Sequence, residues 1–182
     1  RTASSLPRRW ATQHPKGHRM ISLATGSRRR SLMALIGWFA LTFSAALTGV
    51  FVPAGGGWYA GLAKPSWNPP GWLFGPVWTL LYTMMAVAAW LVWRAGGWRT
   101  RKGALGLYVG QWALNALWTP LFFGLHRPGL AFIAILALDL AVLGTLIAFW
   151  RVRRSAGHLL IPYALWAVFA TILNGTIWQL NT

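Results

Sequence analysis

Five apolar runs dominate the chain. Residues 32–52, 72–93, 104–124, 129–150 and 158–180 are almost free of charge, and polar, Lys/Arg-bearing segments separate them. Each run is close to the roughly 20 residues that a helix needs to cross about 30 Å of hydrocarbon. None shows the strict alternation of a barrel strand, and in lipid only helices or closed barrels satisfy their own backbone. The pattern predicts an all-α, polytopic membrane protein built as a bundle of five transmembrane helices. Pro76, Pro120 and Pro162 fall near predicted helix ends, where a missing N–H costs least.

The connections predict orientation. Residues 1–31 hold eight Lys/Arg and no acid; the 53–71 loop holds only Lys64; the next loop holds Arg94, Arg99, Arg101 and Lys102. Arg127 follows, then Arg151, Arg153 and Arg154, and the last residues have no cation. This alternation, read with the positive-inside rule, puts the N-terminus in the cytoplasm of a bacterial cell membrane and the C-terminus outside. An organelle membrane, where insertion follows another route, stays open. Residues 1–31 read as a basic, disordered tail, although their Arg- and Ser-rich, acid-free composition is also that of a transit peptide. The Gly/Pro-rich, aromatic 53–71 loop is long enough to be a lid.

Composition sharpens this picture. Charged residues are 10% of the chain, well under the roughly one quarter of a soluble globule. The net charge of +16, with Asp139 as the single acid, suggests nucleic acid at first sight. Because the cations lie between apolar runs, topology accounts for them, and no nucleic-acid partner is expected; membrane lipid is. Absence of cysteine excludes disulfides, iron–sulfur clusters and thiolate-held zinc.

Known catalytic motifs are missing: no Ser/His/Asp set, HExxH, phosphate-binding loop or Cys/His cluster is present, so no catalytic and no metal residues are assigned. Asp139, midway along the fourth run, is either a proton or cation site or a neutral carboxyl packed against another helix. His14 and His18 are four apart, but Pro15 and Gly17 argue against the helix that a metal pair would need. His126 and His158 lie near helix ends and read as interfacial groups.

What remains is aromatic. The chain has 14 Trp, residues that favour the membrane interface and also make flat walls for ligands. Trp58 and Tyr59, then Lys64-Pro65-Ser66-Trp67-Asn68-Pro69-Pro70, fill the loop; Trp72, Trp78 and Tyr82 follow. Trp112, Asn115 and Trp118 are three apart on the third helix, and Tyr163, Trp166, Phe169, Asn174 and Trp178 mark the fifth. Polar Asn115 and Asn174 inside helices face a bundle interior. The set reads as a ligand pocket or as aromatic packing plus an interfacial belt, and spacing alone does not separate the two. Gly106 and Gly110 form a small-xxx-small pair that fits a homodimer through the third helix or close packing within one monomer.

Three stretches resemble the TspO translocator proteins, also called tryptophan-rich sensory proteins or peripheral-type benzodiazepine receptors. They are the Trp58-to-Pro70 loop, close to the family's WYxxLxKPxWxPP; Gln111 through Phe123; and Pro162 through Trp178. The resemblance covers residues 32–182. It implies a five-helix bundle, often dimeric, with a pocket near one membrane face closed by the loop between the first two helices. It further implies porphyrin- and haem-type ligands, with no obligatory cofactor, and a role as sensor, regulator or sequestering protein. Transport of tetrapyrroles or other lipophilic molecules, and light-dependent porphyrin breakdown, are the alternatives. By motif position the ligand-binding residues are Tyr59, Trp67, Asn68, Pro69, Trp78, Asn115, Trp118, Trp166 and Ala170, and Trp78 and Trp166 match the indoles tied to porphyrin photochemistry. The chain departs from animal members at Gln179, where the family often has Arg, and Tyr163 has no cation after it. Both departures argue against a cholesterol site of the animal type.

Overall fold

The computed structural model describes residues 16–52 and 57–182. They form seven helices: α1 (Lys16–Ser44), α2 (Leu47–Phe51), α3 (Gly57–Gly61), α4 (Gly71–Arg94), α5 (Gly97–Thr119), α6 (Pro128–Val152) and α7 (Arg154–Leu180). A single π turn, Pro120–Gly124, prolongs α5. Among the described residues there is no strand. The chain divides into one unit ending at Met33 and a second, Ala34–Thr182, which contains the helix bundle and its cavity.

Helix α1 takes in residues 16–31, which sequence reading assigned to the tail; no proline lies between Pro15 and Pro53 to stop it. Residues 1–15, His14 among them, and loop positions 53–56 lie outside the described residues, and so does the side chain of His18. Because α7 begins at Arg154, Pro162 sits inside that helix and not near its end.

Among the described residues, four helical segments are long and apolar enough to cross a membrane: Arg28–Gly49, Gly71–Arg94, Pro128–Val152 and Arg154–Leu180. Helix α5, expected as a fifth span, does not reach that standard. Arg99, Arg101 and Lys102 occupy its first turns, Arg101 breaks the helical geometry (φ −113°, ψ 20°), and Gln111 and Asn115 dilute the rest.

Packing explains the arrangement. Helix α4 presents Met85, Ala86, Ala88, Ala89 and Val92, all fully buried, so small side chains let its neighbours come close. Helices α6 and α7 use glycine in the same way. A Cβ on Gly129 would lie 2.8 Å from the Trp178 ring, one on Gly157 2.7 Å from Trp150, and one on Gly175 2.9 Å from Phe132. Tyr108 of α5 stacks on Phe149 of α6 at 5.8 Å. Gly96 (φ +153°) and Gly97 (φ +70°) supply the tight connection from α4 to α5. That end of the bundle, shared with the α6–α7 junction at Arg153, gathers Arg94, Arg99, Arg101, Lys102, Arg151 and Arg154. The opposite end carries α3, the loop after it and the α5–α6 connection.

Candidate functional site

At that opposite end the bundle encloses a cavity of about 600 Å³, lined from α2, α4, α5, α6, α7 and the lid. Eight of the nine sequence-predicted residues line it: Tyr59, Asn68 and Pro69 from the lid, Trp78 from α4, Asn115 and Trp118 from α5, and Trp166 and Ala170 from α7. Trp67 is not among the lining residues. It is 45% exposed, and its ring meets Phe169 edge-on at 5.9 Å, outside the cavity wall.

The walls are aromatic. Trp118 stacks on Phe122 at 5.1 Å, Trp78 lies 5.1 Å from Tyr82, and Trp166 packs between Phe74 (6.0 Å) and Phe169 (5.2 Å). The polar atoms of the wall are largely spent on one another. Tyr82 Oη donates to Asn115 Oδ1 (2.9 Å), Asn115 Nδ2 donates to Tyr163 Oη (3.3 Å), and Tyr163 Oη donates to Gln111 Oε1 (2.8 Å). This chain runs from the cavity into the bundle and ends at Gln111 Nε2, which is buried without a partner. Separately, Trp118 Nε1 donates to Asn174 Oδ1 (3.0 Å), and Asn174 Nδ2 donates to the Pro128 carbonyl (2.9 Å), which pins α5, α6 and α7 together. A cavity so lined offers flat π faces and few free hydrogen-bonding groups.

The lid is fastened at several points. Tyr59 Oη donates to Asn68 Oδ1 (3.2 Å), and Lys64 Nζ sits 4.6 Å above the Tyr59 ring while donating to the Leu62 carbonyl (3.0 Å). Burial raises the Tyr59 phenol above its ordinary pKa, with the Asn68 bond pulling the other way. Trp58 stacks on His126, whose backbone is left-handed (φ +54°), at 4.3 Å. Ala63 is held through both its N–H and its carbonyl by Asn181 (2.9 Å each).

Asp139 stands in the seam between α6 and α7 and does not line the cavity. Its Oδ2 accepts from Thr171 Oγ1 (2.7 Å), and its Oδ1 is buried with no partner. His158 packs against Trp150 at 4.4 Å, far from the lid. Sequence reasoning missed the contributions of Phe74, Phe122, Phe123, Ile135 and Leu138 to the wall. The Phe122-Phe123 pair was visible in its motif, but α6 has no polar or aromatic signature that marks Ile135 and Leu138 as wall residues.

The fold and site define a class: an integral membrane protein of apolar helices around an aromatic cavity. Comparison with known proteins gives the family. Residues 32–179 match the TspO/MBR family. The chain is 46% identical to the human Translocator protein over 126 residues, 68% of this chain and 75% of that protein. It is 42% identical to the Tryptophan-rich protein TspO of Archaeoglobus fulgidus over 124 residues, 68% of this chain and 80% of that one. With Protein CrtK of Rhodobacter capsulatus it shares 39% identity over 154 residues, 83% of this chain and 94% of CrtK. The chain belongs to the TspO/MBR family.

Proposed function

We propose that this protein binds a porphyrin- or haem-type tetrapyrrole in the cavity and acts as a sensor, regulator or sequestering protein for it. The observation that carries the reading is the wall itself: Trp78, Trp118 and Trp166 on three different helices face one cavity of about 600 Å³ whose hydrogen-bonding groups are mostly paired already. A volume of this size lies within the range of small-molecule sites, roughly 300–1,000 Å³. Such a wall favours a wide, flat, largely apolar ligand, and the absence of a paired nucleophile and base among the lining side chains favours binding over hydrolysis.

Light-dependent porphyrin breakdown is the second reading, because both Trp78 and Trp166 line the cavity. An indole against a photoexcited macrocycle can donate an electron to it. Transport is the third; no further observation favours it.

Three structural proposals accompany the function. Helix α5 is a fifth membrane span: Gln111 and Asn115, which lower its hydropathy, are buried inward against Tyr163, and Leu107 and Leu117 point outward. The basic end faces the cytoplasm and the lid faces away from it. The protein pairs with a second copy through Gly106 and Gly110; their exposure, and the open space an added Cβ would meet within 4 Å among the described residues, support that reading.

Titration of the full chain in nanodiscs with protoporphyrin IX, read by Trp fluorescence in the dark and by porphyrin absorbance under light, tests the function. Saturable quenching with stable porphyrin in light supports a binding protein. Bleaching that stops in Trp78→Phe or Trp166→Phe supports the photochemical reading. Quenching that rises linearly without saturation contradicts both.

A further inference from the structure

We propose that ligand reaches the cavity sideways from the bilayer, through a window between α2 and the first turns of α4, and not through the lid. The inference rests on the reading of the cavity as a site for a flat apolar ligand. Two independent sets of contacts carry it, one showing a closed side and one an open side.

The closed side is the lid. Passage there would have to break the pair of bonds between Ala63 and Asn181, the Tyr59–Asn68 bond and the Trp58–His126 stack. These contacts join the lid to α7, to itself and to the α5–α6 connection, so they would have to give way together.

Among the described residues, the open side has few contacts to break. Ala46 and Gly49 on one jamb, and Gly71 and Gly75 on the other, line the cavity and are at the same time exposed. A Cβ added at Gly49, Gly71 or Gly75 would meet no atom within 4 Å. Towards the basic end the gap closes where Phe43 of α1 meets Tyr82 of α4 edge-on at 5.6 Å, which makes a sill. Bulky apolar side chains flank the jambs: Phe51 is 82% exposed and Trp72 is 74% exposed. The apolar spans on either side end at Gly49 and begin at Gly71, which sets the window at the margin of the hydrocarbon. The span ending at Gly49 has 17% of its apolar stretch buried against 44% for α4, so most of that jamb faces outward. A flat apolar molecule concentrates in the bilayer before it meets the protein, and the window opens where that molecule is.

The test uses the full chain in nanodiscs. Because the protein has no cysteine, Ala170→Cys places a single thiol on the cavity wall. N-(1-pyrenyl)maleimide dissolved in the bilayer is expected to label it, and Gly49→Leu with Gly71→Leu should slow that labelling by about tenfold or more. Asn181→Ala, which loosens the lid, should leave the rate unchanged. No labelling, labelling indifferent to the two leucines, or labelling accelerated by Asn181→Ala would each overturn the proposal. With protoporphyrin IX as probe, the two leucines should lower both kon and koff, because a narrowed passage slows both directions; a raised koff would make them lost ligand contacts instead. The thiol labelling needs no porphyrin, so failure of porphyrin to bind would sink the proposed ligand while the labelling still decides the route.

Discussion

Asn181 holds Ala63 by both ends of its backbone: the Ala63 N–H donates to Asn181 Oδ1, and Asn181 Nδ2 donates to the Ala63 carbonyl, each at 2.9 Å. One amide near the end of α7 therefore substitutes for a strand partner and fixes the lid across 118 residues of sequence. A net contribution of about 1 kcal/mol per hydrogen bond is usual. Asn181→Ala is expected to speed amide exchange at residues 57–70 by about tenfold, with little change in the exchange of α4, α6 and α7. Equal acceleration throughout the bundle would mean that the contact supports the fold and not the lid.

The Tyr59 phenol gives the lid a pH dependence. Its pKa is raised by burial above the ordinary 10.0, so the folded state favours the protonated form. Stability from this group is full below about pH 10, where the unfolded chain is also protonated, and it is lost as pH climbs through the folded value. The advantage of the native protein over Tyr59→Phe in thermal unfolding should be constant below about pH 10 and shrink above it. A difference that grows with alkalinity would contradict the assignment.

The polar chain through the bundle predicts an order of damage. Asn115 lies in its middle, so Asn115→Leu strands the buried Tyr82 hydroxyl and takes a donor from Tyr163. Gln111 lies at its end and already has one idle arm, so Gln111→Met takes only the acceptor of the Tyr163 hydroxyl, to which Asn115 still donates. An unmet buried group costs about 1–3 kcal/mol. Unfolding in detergent should therefore rank Asn115→Leu as the more destabilising, by roughly 1 kcal/mol. The reverse order would show that the chain does not run as described.

Glycines separate packing from association. Gly157→Ala pushes a methyl into Trp150, including its Cα at 3.0 Å, and should cost about 1–3 kcal/mol. Gly106→Ala and Gly110→Ala meet open space and should leave the monomer as stable or slightly more so, by up to about 1 kcal/mol. If the two copies pair on this face, Gly106→Leu with Gly110→Leu should convert dimer to monomer in analytical ultracentrifugation. A dimer that survives both leucines places the interface elsewhere.

Much of this was legible in the sequence, for reasons that differ by residue. The apolar runs identify helices because lipid admits little else, and Trp78, Asn115, Trp118 and Trp166 announce themselves as aromatic or polar groups where plain apolar residues would serve. Trp67 shows the limit: a motif places it in the lid, but which way a side chain turns from a short irregular segment depends on partners such as Phe169 that no spacing reveals. Helix α5 shows another. Its apolar run suggests a span, but Asn115, which lines the cavity, and the cations of its first turns bring its hydropathy below that of the four apolar segments. Ile135 and Leu138 were invisible because a leucine facing a cavity and one facing lipid read alike.

The central claim is that the aromatic cavity is where porphyrin binds. Ala170 lies on its wall and is partly exposed to it, so Ala170→Phe fills space without removing any hydrogen bond. Protoporphyrin IX titrated in the dark into native protein and Ala170→Phe, at equal protein concentration in the same nanodiscs, decides the matter. The account predicts saturable quenching in the native protein and an affinity lower by about tenfold or more in the variant, or about 1.4 kcal/mol. Equal affinities in two folded proteins would put the porphyrin outside the cavity and contradict it.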